Sequence, residues 1–334
     1  MTSSAKPRRF AVPLRTAAFA FGALLAAALP GAAQTLVKVG VPVGTVPGLK
    51  AAIEEGYFQK ENIAIQFVTL SGGPAIITAT VGGSVDVGYA DMFAWVGSLE
   101  NGFDLVLLQP ANGRGASDYI IAGPKSGIKT PQDLRGKKIG IAAHVQSKLR
   151  VTLYLERFGL KPSDVTLVTV AQRDTVGAAL ASGQIDAAIA PDPDVAQWEQ
   201  QFKVYPLDGR PWQQVPEAAT TAGFFVTKAW LAANPKVAEG FVRAARKGAA
   251  RYNALSAEDK AKIVLKYDKL DFFELEKTTP GVLARLNDDI ASQDGPIDLT
   301  ATGEWLAIAQ KYGLIKNTID LKAHLYRTAT EPKV

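Results

Sequence analysis

Cysteine is absent from this chain of 334 residues, and histidine occurs only twice. Disulfides and thiol catalysis are therefore excluded, so stability must come from burial of the apolar side chains that make up 47% of the sequence. The two histidines, His144 and His324, stand far apart, which argues against a zinc site. The length suits one large domain or two of ordinary size.

Long apolar runs are also rare, and the one that stands out lies near the N-terminus. It covers 17–29, follows four basic residues and is followed by small residues up to Ala33. This pattern predicts a secretory signal peptide over 1–33. The run is shorter than the roughly 20 residues that a membrane-spanning helix needs. The pair Arg8-Arg9 leaves Sec and twin-arginine export both open.

The chain also has almost no net charge once the predicted signal peptide is excluded. Lys and Arg then number 33 against 32 Asp and Glu, so the net charge falls from +5 to +1. A nearly neutral chain gives no indication of nucleic acid or of an anionic membrane as a partner.

The sequence does contain a short motif that occurs twice, 100 residues apart. The copies run over 83–91 and 183–192, and each has a glycine, an aspartate and a short apolar run that ends at a carboxylate. The apolar runs predict two buried strands. Asp86 and Asp186 precede these strands and are interpreted as turn residues. The repetition predicts two α/β lobes that face each other across a cleft.

Strands alternate along the chain with helices of about ten residues or more, which predicts a mostly parallel sheet in each lobe. Lobe 1 is predicted to comprise 34–124 plus 220–334, and lobe 2 to comprise 125–219. Strands over 119–122 and 222–226 are predicted to connect the lobes. The last 20 residues are predicted to wrap loosely over the surface. The helices predicted between the second connecting strand and that tail lie over 237–252, 257–267, 280–292 and 303–312.

Four segments match a known family. They are Val39-Gly-Val41 before a Gly-Thr turn, Glu55-Gly-Tyr-Phe58 before a strand, Asp133-Leu-Arg-Gly-Lys-Lys-Ile139, and Gly183-Gln-Ile-Asp186. Together with the N-terminal signal, they make the chain resemble the periplasmic solute-binding proteins of ABC importers. The branch to which it is similar serves taurine, alkanesulfonates, nitrate and thiamine-precursor pyrimidines.

The resemblance implies a type II periplasmic binding protein, with two α/β lobes joined by a two-strand hinge that closes around one small molecule. Each lobe would be a mostly parallel sheet flanked by helices. The family further implies a monomer that delivers its ligand to an ABC permease in the inner membrane. The predicted signal peptide places it in the periplasm, and the missing catalytic and metal motifs predict no reaction, cofactor or metal. The turn Ala142-Ala-His144-Val-Gln-Ser147 differs from the Gly-Ser-Thr type of turn in sulfonate receptors, so the ligand stays open.

Candidate binding residues lie in the predicted turns after the strands. Ligands of parallel sheets bind beyond the carboxyl ends of the strands, where helix N-termini offer N–H groups to an anion. Ordinary turns with Ser and Thr caps would show the same residue types, and that alternative stays open. The candidate ligand-binding residues are Thr45, Ser71, Gly72, Gly73, Tyr89, Asp91, Arg114, His144, Gln146, Ser147 and Asp192.

Carboxylates at the strand ends bear on the charge of the ligand, because they repel an anion and attract an ammonium group. Asp91, Asp192 and Asp194 therefore point to a zwitterion such as taurine, although each could instead cap the helix that follows it. The sequence leaves open which of the three faces the cleft. Trp95 and Trp198 could wall the pocket or belong to the core.

Three functions are compatible with these features. The first is a receptor that captures a small organic anion or zwitterion for import. The second is a receptor or enzyme for a pyrimidine or another nitrogen heterocycle, although the sequence has no nucleophile elbow and no metal cluster. The third is a periplasmic sensor subunit.

Overall fold

Two five-stranded sheets form the framework of the protein. The computed structural model describes residues 34–42, 44–113, 118–142, 145–211, 213–288, 292–317 and 319–331. The strands are β1 (Thr35–Val41), β2 (Ile63–Thr69), β3 (Val87–Asp91), β4 (Leu105–Asn112), β5 (Asp118–Ala122), β6 (Lys138–Ile141), β7 (Thr166–Thr169), β8 (Ala187–Pro191), β9 (Tyr205–Pro206) and β10 (Ala222–Thr227).

Helices cover both sheets, and the longest of them follows the last strand. The α-helices of the described residues are α1 (Pro47–Glu54), α2 (Tyr57–Lys60), α3 (Gly73–Val81), α4 (Met92–Glu100), α5 (Val145–Arg157), α6 (Val176–Ser182), α7 (Asp192–Phe202), α8 (Lys228–Ala233), α9 (Pro235–Asn253), α10 (Ala257–Asp268), α11 (Phe272–Thr278), α12 (Leu299–Lys311) and α13 (Arg327–Thr330).

The two sheets share one topology. The strand order is β2-β1-β3-β10-β4 in the first sheet and β7-β6-β8-β5-β9 in the second. In each, the fourth strand runs antiparallel to its neighbours and the other four share a direction. We call each sheet with its flanking helices a lobe, the first and the second. The two-lobed, mostly parallel α/β architecture predicted from the sequence is confirmed.

Strand β5 pairs in the second sheet, whereas the predicted bounds place 119–122 in lobe 1. Its side chains are buried on both faces, Ile120 against one apolar cluster of the second lobe and Ile121 against another. A short apolar strand of this kind fits the interior of either sheet, so its sequence could not assign it. The chain therefore leaves the first sheet at Asn112 and enters the second at Asp118.

The repeated motif has the same structure in both lobes, including equivalent hydrogen bonds. Asp86 Oδ2 accepts from the backbone N–H of Lys38 at 2.8 Å, and Asp186 Oδ2 accepts from that of Lys138 at the same distance. The backbone N–H of each aspartate returns a bond to the carbonyl of the same lysine. Asp86 and Asp186 thus fasten the turn before β3 or β8 to a neighbouring strand. Their interpretation as turn residues is confirmed.

The two crossings between the sheets lie side by side. The backbone N–H of Thr221 donates to the carbonyl oxygen of Asn112 at 2.8 Å, and its hydroxyl donates to that of Gly113 at 2.6 Å. Thr221 precedes β10, and Asn112 ends β4. The outgoing and returning chains are therefore joined where they pass from one lobe to the other, as a two-strand hinge requires.

The C-terminal segment is bound to the first sheet, so the prediction of a loose tail is wrong for the described residues. The backbone N–H of Tyr326 donates to the carbonyl of Leu107 at 3.0 Å, and the Thr328 hydroxyl donates to that of Leu108 at 2.7 Å. These carbonyls belong to β4, which is an edge strand. The tail covers that edge and satisfies its free backbone groups.

The helix predicted over 280–292 is also wrong. The chain forms a 3-10 helix over Leu283–Asp288, and 289–291 lie outside the described residues. The carboxylate of Glu276 accepts from the backbone N–H groups of Gly281 and Leu283, each at 2.7 Å. Gly281 has a φ of 88°, which a regular helix does not allow. A local turn around Gly281, bonded to Glu276, therefore replaces the first helical turn that the spacing had indicated.

An ion pair between Glu61 and Arg243 gives a testable dependence of stability on pH. Two hydrogen bonds of 3.1 and 2.7 Å join the guanidinium on α9 to the carboxylate after α2. They lower the pKa of Glu61 below its ordinary value, with burial opposing. A lowered carboxyl pKa stabilises the fold above the unfolded value near 4.5, and this contribution is lost as the pH falls through the folded pKa.

We therefore expect Glu61→Gln to melt about 1–3 °C below the parent at pH 7, and the difference to vanish near pH 3. Melting temperatures of both proteins from pH 3 to 8 would measure it. A difference of constant size across that range would contradict the assignment.

Candidate functional site

The carboxyl end of β3 runs directly into α4, and Asp91 stands at the junction. Its Oδ1 accepts hydrogen bonds from the backbone N–H groups of Phe93 and Ala94, each at 3.0 Å, so Asp91 is the N-cap of α4. The capping alternative is thus realised for one oxygen. Among the described residues, none donates a hydrogen bond to the other oxygen, Oδ2.

Two glycines bring a second helix start next to Asp91. Gly72 has φ 149° and ψ −175°, a conformation that is essentially restricted to glycine. A Cβ on Gly73 would lie 2.8 Å from the Cβ of Ala94 and 3.2 Å from Asp91 Oδ2. The N-termini of α3 and α4 therefore lie side by side. This close packing explains both glycines structurally, beside the role predicted for them toward a ligand.

The other candidates of the first lobe lie at the same edge of its sheet. The Thr45 hydroxyl donates to the carbonyl of Pro42 at 2.7 Å, which stabilises the turn between β1 and α1. Ser71 is exposed in the turn before α3. Tyr89 on β3 is buried, and its hydroxyl accepts from Asn112 Nδ2 at 2.7 Å. Tyr89 thereby links β3 to the end of β4, where the hinge begins.

In the second lobe, the candidates surround the start of α5 and α7. The Ser147 hydroxyl accepts from the backbone N–H of Ala142 at 3.2 Å and so holds the turn between β6 and α5. Gln146 is half-buried in the first turn of α5, and Asp192 is the first residue of α7. Arg114 and His144, also predicted as ligand-binding residues, lie outside the described residues.

The remaining residues of interest have partners or positions within the lobes. Asp194 Oδ2 accepts a hydrogen bond from Arg173 Nε of the same lobe. Trp95 and Trp198 are 0% and 4% exposed and belong to apolar clusters, so the core alternative holds for both.

A guanidinium that the sequence reasoning missed lies between the lobes. Arg150, on the second turn of α5, donates from Nη1 to Asp118 at the start of β5. The two side chains are only 14% and 12% exposed. Arg150 Nε is buried and has no hydrogen-bond partner among the residues that the structure describes. Burial lowers the pKa of Arg150 to about 10, and the neighbouring Asp91 and Tyr89 of the first lobe oppose that shift.

Nothing in the sequence around Arg150 marks it as buried. An arginine inside an amphipathic helix ordinarily lies on the solvent face. The one available signal is its place one turn after Ser147, because side chains three residues apart on a helix share a face. Asp118, the partner, is separated from it by 32 residues, and only the fold brings the two together.

The lobes contact each other on both flanks of this region. On one flank, Leu149 and Leu153 of α5 pack in the same cluster as Met92 of α4, and Tyr312 donates a hydrogen bond to Glu156. Burial, and then that carboxylate, raise the pKa of Tyr312 to about 12.

On the other flank, Arg285 forms an ion pair with Glu199 of α7 at 2.9 Å. Ala196 of the same helix packs against the apolar cluster formed by α10 and α11. The two lobes therefore contact each other through α4 and α5 at one place and through α7, α10 and α11 at another.

The repeated topology, with strand ends from both lobes beside a paired crossing, defines the periplasmic-binding-protein fold. The chain belongs to the NMT1/THI5-like family, whose sequence model matches residues 45–255. The match includes the candidate residues of both lobes. It ends within the Ala254–Ser256 linker between α9 and α10.

Individual relatives agree with this family. A candidate binding protein of Brucella abortus is 28% identical over 285 residues, which cover 81% of this chain and 83% of the relative. The taurine-binding periplasmic protein of Escherichia coli is 26% identical over 213 residues, covering 63% of this chain and 64% of the relative. The crystal structure of the aliphatic sulphonate binding protein SsuA from Escherichia coli matches with a TM-score of 0.70. That match has 18% identity and covers 88% of this chain and 98% of SsuA.

The described residues also bear on membranes and metals. In the part of the chain that the structure describes, no helix has the length and apolar character needed to cross a membrane. Within the same residues, no group of three or more His, Asp or Glu side chains could hold a metal ion.

Proposed function

We propose that this protein is an exported receptor that binds a small organic anion or zwitterion between its two lobes. It delivers the ligand to an ABC permease in the inner membrane. The proposed receptor is a monomer of the periplasm, carries 1–33 as its signal peptide and performs no reaction on its ligand. The proposed lobe bounds are 34–112 plus 220–334 and 118–206, which follow the strands of the two sheets.

The observation that carries the proposal is the region between equivalent strand ends of the two lobes, where Asp91 of one lobe acts on Arg150 of the other. The N-termini of α3 and α4 reach it from one lobe and that of α5 from the other. Helix N-termini favour anions, since their N–H groups are unpaired and carry partial positive charge. Asp91 and the ion pair of Arg150 with Asp118 add both signs of charge. Family membership and the taurine- and sulfonate-binding relatives support a small sulfonate or zwitterion.

Thermal unfolding of residues 34–334 against a ligand panel tests the proposal. The panel contains taurine, ethanesulfonate, nitrate, acetate and a thiamine-precursor pyrimidine. A ligand at 100 times its dissociation constant adds about 2.7 kcal/mol to the folded state. The midpoint should then rise by about 5–10 °C with taurine or ethanesulfonate.

Each outcome separates one reading from another. A shift with the pyrimidine alone would keep the receptor and overturn the ligand class. If no compound raises the melting midpoint, the proposal that the protein is a receptor for small anions is overturned. If taurine binds and its NMR signals show that it is not converted to another compound, a receptor is supported over an enzyme.

A further inference from the structure

Arg150 has an unused donor in a place where an unused donor is costly. Within the described part of the chain its Nε is buried without a hydrogen-bond partner, while Nη1 donates to Asp118. A buried donor left unpaired destabilises the fold, and more so when the group is charged. Such a cost is characteristic of functional sites, where a ligand supplies the missing acceptor.

In the first lobe, a carboxylate oxygen of Asp91 lacks a hydrogen-bond donor among the described residues. Asp91 uses only Oδ1 to cap α4, and no described residue donates to Oδ2. A Cβ on Gly73 would lie 3.2 Å from Oδ2, so a side chain at this position would crowd the carboxylate. Asp91 also lies close enough to Arg150 for its charge to act on the guanidinium. Among the described residues, an unpaired donor of the second lobe and an unpaired acceptor oxygen of the first thus belong to two side chains that lie within electrostatic range of each other.

The ion pair with Asp118 fixes the orientation of the Arg150 guanidinium. Asp118 begins β5, opposite Pro191 of β8, so it is fixed by the sheet at the edge where the strands end. Its carboxylate holds one side of the planar guanidinium and leaves the Nε edge pointing elsewhere. A lysine could not be oriented in this way, because its ammonium is a point charge on a flexible stem.

We infer that Arg150 binds the anionic group of the ligand through Nε, and that Asp91 Oδ2 binds a cationic group of the same ligand. The ligand is then a zwitterion whose two charges are separated by a short aliphatic chain. This inference rests on the proposed function and assigns two of its determinants, one in each lobe. Because each lobe holds one end of the ligand, a molecule with both charges stabilises the closed arrangement better than one with a single charge.

Three variants test the two assignments by calorimetric titration with two probes, taurine and ethanesulfonate. Ethanesulfonate has the sulfonate and lacks the ammonium group. Arg150→Gln removes the guanidinium, and Asp91→Asn removes the charge but keeps an N-cap, since asparagine caps helices as well as aspartate. Arg135→Gln is the matched control, because Arg135 forms an exposed ion pair with Asp164 in the same lobe.

We expect Arg150→Gln to weaken both probes by about 10- to 150-fold, as loss of a charge-assisted hydrogen bond does. Asp91→Asn should weaken taurine by about 10-fold or more and leave ethanesulfonate unchanged or tighter, since only taurine carries the ammonium group. Arg135→Gln should bind both probes as the parent does.

Two results would overturn the inference while leaving the receptor intact. One is binding of both probes by Arg150→Gln within about twofold of the parent, and the other is an equal loss of both probes in Asp91→Asn. If Arg150→Gln fails to fold, Arg150→Lys replaces it, because lysine can still pair with Asp118. It should lose at least about 10-fold for both probes, and unchanged affinity would refute the role of Nε. Failure of the parent protein to bind either probe would overturn the proposed ligand class and this inference together.

Discussion

Gly248→Ala should destabilise the protein by about 3 kcal/mol and lower its melting temperature by about 6–12 °C. Gly248 lies on α9 where α9 crosses α1, and the two helices touch backbone to backbone. A Cβ on Gly248 would come within 3.0 Å of the Gly48 carbonyl oxygen and of both N and Cβ of Ala52. These neighbours are backbone and near-backbone atoms, so they cannot rotate away. The helices would have to separate.

The measurement is thermal or urea unfolding of the variant, with a second glycine variant as control. Gly303 lies inside α12, and a Cβ there would meet no atom within 4 Å. Gly303→Ala should therefore stabilise the protein by about 0.5–1 kcal/mol, because alanine favours a helix. If Gly248→Ala melted within 2 °C of the parent, about the size of measurement and relaxation effects, the close crossing of α1 and α9 would be refuted.

Arg246→Met should be the most damaging change of a charged residue outside the ligand site. Arg246 on α9 is 8% exposed, and burial lowers its pKa. Its Nε donates to Gln109 Oε1 at 2.8 Å, Nη1 donates to the carbonyl of Glu331 at 2.7 Å, and Nη2 donates to that of Thr328. Methionine fills similar volume but leaves three acceptors without a donor. We expect a loss of about 3 kcal/mol.

Limited proteolysis distinguishes this cause from a general loss of stability. Without Arg246, the segment around Thr328 should be released from the first lobe and cut at denaturant concentrations that leave the sheets folded. Arg327→Met serves as the control, because Arg327 is half-exposed and binds Glu239 and Glu331 at the surface. That change should leave the midpoint nearly unchanged. Equal protease sensitivity of both variants would contradict the assigned role.

The sequence predicted the framework of the fold because the same local pattern occurs in both lobes. Asp86 and Asp186 could be interpreted as turn residues from their place before an apolar run. Such features depend on neighbours in sequence and on sheet alternation. The bonds of both aspartates to the backbone of a lysine 48 positions earlier were not predicted. Asp91 was harder, because capping and ligand binding use the same side chain at the same position.

What the sequence could not predict depends on contacts between distant segments. Arg150 and Arg246 resemble ordinary surface arginines of amphipathic helices, and their burial follows only from what packs over them. The partners of Arg246 include two backbone carbonyls, which no residue pattern can indicate. The failed helix over 280–292 has a local origin instead, because Gly281 adopts a φ of 88° that interrupts a regular helix.

The topology of the two sheets has a consequence for the order in which the chain can fold. All strands of the second sheet come from the continuous stretch 118–206, whereas the first sheet needs 35–112 together with β10. Its edge strand is then covered by residues near 326, more than 200 positions away. As the chain emerges from one end to the other, the second lobe acquires all of its strands first. The first lobe begins earlier in the chain, but its sheet lacks the strand between β3 and β4 until β10 is available to pair with both.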